Sequence, residues 1–243
     1  MYTIVPGNHD ISFSEKPESD DEHQAVSLAY DTAKNEYKKF YEKFTGYPAE
    51  EYLFTINRIL TKNLHPVELI GLNSNILQQT EGHFQGMGCV GKDQLDAVSK
   101  YLDQAEDSNA FRILVLHHHI LPAMYAEELK MNPMYSIMTD SGRLLEFIQQ
   151  KHINVVLHGH VHRDFYAELI TKKNDNKKHK VYIVGIGSSG IEARALSDGR
   201  TNMFGILNFE KDALIIEGRT LKPTGEAGQS LFTHTIPYKE NLN

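Results

Sequence analysis

Three short apolar runs, each ending abruptly on side chains able to ligate a metal, constrain this chain more than any other feature. Tyr2–Pro6 runs into Gly7-Asn8-His9-Asp10, Phe111–Leu116 into His117-His118-His119, and Ile153–Leu157 into His158 and Gly159-His160-Val161-His162. Short apolar runs bounded by turn signals read as buried strands. In an open α/β sheet, ligands gather outside the carboxyl ends of the strands. Three strand ends loaded with Asn and His are therefore expected to face one place. The histidine count of 13 is high, and five of them lie in His117-His118-His119 and His160-Val161-His162.

The remaining pattern sets the architecture. Apolar positions at helical spacing predict helices over 23–44, 92–104 and 142–150. Strands are expected at Tyr52–Leu60 and Val67–Leu72. Two hairpins are expected near the end, Phe165–Ile170 with His179–Val184 and Met203–Phe209 with Ala213–Arg219. A polar tail from about 223 is expected to lie along the surface. Helix–strand alternation followed by antiparallel hairpins predicts a layered α/β sandwich. No repeat or linker interrupts the 243 residues, so one domain over 1–243 is the economical reading.

Composition excludes several functions. Lys and Arg number 25 against 32 Asp and Glu, a formal charge of −7, which argues against broad binding to nucleic acid. The single cysteine, Cys89, permits no internal disulfide. No apolar run is long enough to span a membrane, and the first residues do not form a signal peptide, so a cytoplasmic location is expected.

Imidazole nitrogens suit Zn, Fe, Ni or Mn, and the Asn8 amide would add a neutral oxygen. A His-x-His turn can serve one ion or two neighbouring ones. Two ions clamp an in-line phosphoryl displacement. With Asn8 as a ligand, His9 would sit near the leaving-group oxygen, as a general acid must.

In order and in context, Gly-Asn-His-Asp, the His cluster and Gly-His-Val-His resemble the calcineurin-like metallophosphoesterase superfamily. The similarity is greatest to the branch containing class III cyclic-nucleotide phosphodiesterases. Leu69-Ile70-Gly71-Leu72-Asn73-Ser74 and Gln94-Leu95 are similar to that branch as well. The resemblance implies a four-layer αββα sandwich and two divalent ions (Mn, Fe, Zn or Ni). The implied reaction is hydrolysis of a phosphomonoester or phosphodiester, from a small molecule or nucleotide, by a metal-bridging hydroxide. It implies His9 as general acid, Asn8 and His160 on the second metal, and His162 on the first. The family ligand of the middle cluster lies two positions before a Pro. Ile120 stands at the position of that Pro, which implies His118 and leaves His117 and His119 as alternatives.

The family's earlier Asp-x-His and Gly-Asp motifs are not found ahead of Gly7. The expectation is a chain incomplete at its N-terminus, able to hold one ion or none by itself. The rival is a shortened, catalytically inactive binding or regulatory relative, which would have to dimerise or reorganise around Tyr2–Pro6. Asp21-Glu22-His23 spells Asp-x-His but falls at a helix start, where acids favour the helix dipole. Asp93 reads as a helix cap. His158 reads as a buried structural residue and Cys89 as a packed thiol. Lys172–Lys180 reads as a solvated basic hairpin tip, and Gly185–Gly190 as a turn beside the metal centre.

Overall fold

The computed structural model describes residues 2–11, 22–60, 66–79, 87–104, 109–121, 138–160, 162, 164–172, 178–190 and 201–239. The elements in order are α1 (Glu22–Thr45), β1 (Thr55–Ile59), β2 (Val67–Gly71), a 3-10 turn (Ile76–Gln79), α2 (Lys92–Gln104), β3 (Phe111–Leu116), α3 (Ser141–Gln150), β4 (Ile153–His158), β5 (Phe165–Lys172), β6 (Lys178–Gly185), β7 (Met203–Phe209), β8 (Ala213–Leu221) and β9 (Ala227–Pro237). Most of the predicted Ile11–Glu22 and Leu121–Tyr135 loops falls outside the described residues. So do the Lys173–Lys177 hairpin tip and Gly82–Gly86 of the glycine-rich stretch.

A six-stranded mixed sheet has the order β1-β2-β3-β4-β6-β5. Its four central strands, β2, β3, β4 and β6, run parallel, and β1 and β5 flank them antiparallel. The parallel set puts the carboxyl ends of β3 and β4, and so the second and third histidine motifs, on one edge. Helical crossovers through α2 and α3 make β2, β3 and β4 parallel and leave them buried on both faces, as the FRILVL run of β3 is.

One face is covered by helices. Leu95, Val98 and Leu102 of α2 and Leu144, Phe147 and Ile148 of α3 pack on Ile70, Leu114, Leu116, Val156, Val181 and Ile183. Each such side chain, fully buried, contributes about 1.5–3 kcal/mol of transfer free energy. Asp140, at the start of α3, makes no cap bond to its own helix. Its carboxylate instead accepts from Gly91 N at 2.9 Å and from Val90 N at 3.2 Å, which clamps the entry of α2 to α3.

The opposite face packs on a second sheet, β7-β8-β9, through Phe111, Ile113, Val155, Tyr182 and Val184 against Leu214, Ile216 and Ile236. Both β layers of the expected sandwich and the helical layer of α2 and α3 are thus present. The third strand of this sheet is a correction. Ala227–Pro237 pairs with β8 from Ala213↔Pro237 to Leu221↔Ala227, where a polar surface tail was expected. Every second residue, Phe232, His234 and Ile236, turns inward while Ser230 and Leu231 stay exposed.

The expected strand Tyr2–Pro6 is also corrected, because it forms no strand. It is held by side chains instead. Asn57 Nδ2 donates to Tyr2 O at 2.9 Å and to Thr3 Oγ1 at 2.7 Å. Thr3 and Val5 lie over Gly71, where a Cβ would meet Val5 Cγ1 at 2.9 Å. α1 packs Tyr30 and Tyr37 with Ile11 and Leu53 in a separate small core.

Candidate metal centre

His117 is the hub of the site. Its Nε2 lies 2.8 Å from Asn8 Oδ1 and 2.8 Å from His160 Nδ1. Asn8 Oδ1 brings only lone pairs, so an ordinary hydrogen bond to it requires the proton on His117 Nε2. That one proton must then fork to serve His160 Nδ1 as well. A divalent cation satisfies all three lone pairs at once, so this donor set fits a first-row metal. The donor atoms of His117, His118 and His160 all lie within 4.8 Å of one another, and this group contains no carboxylate.

Local folding explains how the three motifs meet. Gly7 N donates to Asp10 Oδ2 at 2.7 Å and Asp10 N to Gly7 O at 3.0 Å, closing the turn that displays Asn8 and His9. A Cβ on Gly7 would stand 3.1 Å from the His117 ring, so any larger residue there would have to push that ring back by a few tenths of an ångström. Gly159 N donates to His117 O at 3.1 Å and ties the second motif to the third. His160 and His162 both adopt left-handed backbone, with φ of 67° and 52°. Such conformations cost about 1–3 kcal/mol each in non-glycine residues and concentrate at active sites.

The triple histidine divides by strand alternation. His118 is fully buried and shares its Nδ1 with Ser74 Oγ at 2.8 Å. His119 is fully buried, with neither ring nitrogen hydrogen-bonded among the described residues. His117 alone of the three points its Nε2 at both Asn8 and His160. His162 and His9 are exposed. Both lie near enough for their charge to oppose protonation of His117 and His160. His158 is buried, as a structural histidine should be.

Burial is the main reason these rings stay neutral. It pushes His117 and His158 down to about 4 and His160 down to about 3, with smaller repulsions among the histidines adding to the shift. A neutral imidazole is the form that binds a cation. The Gly185–Gly190 turn packs beside the third motif, with Ile186 N donating to His158 O at 2.9 Å. Glu22 opens α1, and Asp21 lies outside the described residues.

A second layer escaped sequence reasoning. Ser74 receives the His118 N–H at 3.2 Å in addition to its bond to the ring. Asn75 Nδ2 donates to Pro6 O at 2.6 Å. Ser74 closes the Leu69–Ser74 stretch that carried part of the resemblance, but no role was read from it, and Asn75 lies just beyond that stretch. Their signal was their place past the carboxyl end of β2.

Among the described residues no helix is long and apolar enough to cross a membrane. No curated protein matches the chain. Among solved structures it is similar to GAP50, the anchor in the inner membrane complex of Plasmodium, at 14% identity and a TM-score of 0.42, covering 77% of this chain and 54% of that one. The chain therefore spans about half the length of that protein. It is also similar to Vps29 from Entamoeba histolytica complexed with zinc, at 12% identity and a TM-score of 0.24, covering 58% of this chain and 89% of that one. A single mutant of the same Vps29 matches at 10% identity and a TM-score of 0.24, covering 58% and 88%. The family model for calcineurin-like phosphoesterases matches residues 1–164, more than half of the sequence, and the chain belongs to that family.

Proposed function

We propose that this chain is a metal-dependent phosphoesterase acting on a phosphomonoester or phosphodiester of a small molecule or nucleotide. The observation that supports it most is the convergence of Asn8 Oδ1 and His160 Nδ1 on His117 Nε2. Asn8, His117 and His160 would hold one divalent ion, with His118 next to them, and His162 would serve a second, as the resemblance implies. His117, rather than His118, is the ligand we assign from the triple histidine. Ions held there would supply Lewis-acid activation of the phosphoryl group and of the attacking water.

The chain's own residues do the rest. The buried, neutral imidazoles fix the donor positions before substrate arrives. His9 is exposed on the same turn as Asn8. In this reading it would give a proton to the leaving-group oxygen while Asn8 holds the metal.

Metal content measured together with turnover of a chromogenic phosphodiester tests this. The expected result is metal-dependent turnover, lost on Asn8→Ala with the bound metal. His9→Ala should keep the metal and lose about 100- to 10,000-fold in rate, the usual worth of general acid–base catalysis. A folded, metal-loaded chain with no turnover on mono- or diesters would sink the proposal and leave a binding or regulatory relative.

A further inference from the structure

We propose that Asn75 is the positioning residue for the Asn8–His9 turn, held by a chain of buried amides that starts on α2. The proposal rests on the assignment of Asn8 and His9 to the metal site. Gln94, on the first turn of α2, is fully buried and makes three bonds with its side chain. Its Oε1 accepts from Asn73 N at 2.9 Å, and its Nε2 donates to Asn73 O and Val90 O, both at 2.8 Å. Asn73 Oδ1 in turn accepts from Asn75 N at 2.9 Å and Asn75 Nδ2 at 3.3 Å. Asn75 Nδ2 then donates to Pro6 O at 2.6 Å, across 69 residues of sequence.

Pro6 is the residue on which the Gly7–Asp10 turn is hung. It has no backbone N–H, and residues 2–7 form no strand, so no ladder fixes the height of Asn8 over His117. The Asn75 amide is the buried bond that does so. Asn75 Oδ1, by contrast, is buried with no hydrogen-bond partner among the described residues. An unsatisfied buried acceptor lowers stability. A residue chosen for stability alone would not leave that atom unpaired, so the donation to Pro6 O is the better account of an asparagine here.

Titration with Mn²⁺ alone, on the full chain, together with amide hydrogen exchange at Asp10, tests this. Wild type, Asn8→Ala, Asn75→Ala and the volume-matched Asn75→Leu are compared well below their melting temperatures. Loss of a partner that orients a ligand typically weakens metal binding about 10- to 100-fold. Both Asn75 variants are expected to show that loss while folded, with faster exchange at Asp10, whose N–H closes the turn onto Gly7 O. Asn75→Leu, which removes the unpaired acceptor and fills the space, should stay folded even where Asn75→Ala does not. A folded Asn75 variant that binds Mn²⁺ like wild type and protects Asp10 equally overturns the proposal. If Asn8→Ala binds Mn²⁺ as tightly as wild type, the metal reading of the turn fails separately. Exchange at Asp10 in the Asn75 variants then still decides whether Asn75 holds the turn.

Discussion

Asn8 Oδ1 lies 2.8 Å from His117 Nε2, although 109 residues separate the two in sequence. The pair singles out His117 within the triple histidine, because its Nε2 lies within 2.8 Å of both Asn8 Oδ1 and His160 Nδ1, whereas the Nδ1 of His118 is taken by Ser74. His117→Ala is expected to weaken metal binding by more than the 10- to 100-fold typical of an outer partner, roughly beyond two orders of magnitude. His118→Ala is expected to fall within that smaller range. Isothermal titration of each folded variant with Mn²⁺ or Zn²⁺ checks the order. The reverse order would return the assignment to His118.

Gly88 passes directly under His118. A Cβ there would lie 2.6 Å from His118 Cβ and 2.5 Å from Met138 Sδ. Both contacts are too short to survive, and His118 Cβ cannot swing away without moving its backbone. Gly88→Ala is expected to cost about 1–3 kcal/mol, the usual range for overpacking. It should also weaken metal binding, since a displaced His118 ring would press on His160, whose ring centroid lies 4.6 Å away. Urea denaturation of the metal-free chain gives the first number and metal titration the second. An alanine variant as stable and as tight as wild type would mean that the loop of Gly88 shifts freely.

Much of this fold is legible in the sequence, and the exceptions share a cause. α2 and β3 occupy their expected bounds because one-sided or complete burial writes itself into local periodicity. Tyr2–Pro6 has strand composition, but pairing is a non-local property, and here side chains of Asn57 and Asn75 take the place of a ladder. β9 was missed because its inward positions alternate Phe232, His234 and Ile236 with Thr233 and Thr235, a muted contrast that reads as polar. Topology rules made the approach of the second and third motifs legible, since both follow parallel strands, whereas the first motif follows a segment that joins no sheet. The choice between His117 and His118 was not legible, because it depends on which face of β3 each residue continues. Leu114 and Leu116 face the helices, and His118 follows them into the interior.

Glu68 and Arg112 stand opposite each other on β2 and β3, with Arg112 Nε 2.8 Å from Glu68 Oε2 and both side chains almost wholly buried. Arg112 Nη1 also donates to Lys151 O at 2.7 Å, just past the end of α3. The pair therefore ties the helical layer to the sheet. Removing one partner strands a buried charge, which costs about 3–5 kcal/mol. Arg112→Leu and Glu68→Leu are each expected to lose that much in urea denaturation. The double variant should recover most of it, because two apolar groups leave no charge behind. Equal loss in the double variant would mean that the bond to Lys151 O, rather than the ion pair, carries the stability.

Glu51 supplies the pH-dependent tie between α1 and the segment before β1. Its carboxylate meets Lys34 Nζ at 2.8 Å and Lys38 Nζ at 2.7 Å. Hydrogen bonds from Lys34 and then Lys38 pull its pKa from 4.5 down to about 2. A carboxyl lowered in the folded state contributes stability that is complete above its ordinary value and is lost as pH falls through the folded one. The group is largely exposed, so solvent screening holds the whole contribution below about 1 kcal/mol. Glu51→Gln should therefore be slightly less stable than wild type at pH 6. The gap should narrow from pH 4.5 and close near pH 2, as urea midpoints measured across that window would show. A gap that is constant with pH would assign the effect to shape or hydrogen bonding in the glutamine, not to the charge of Glu51.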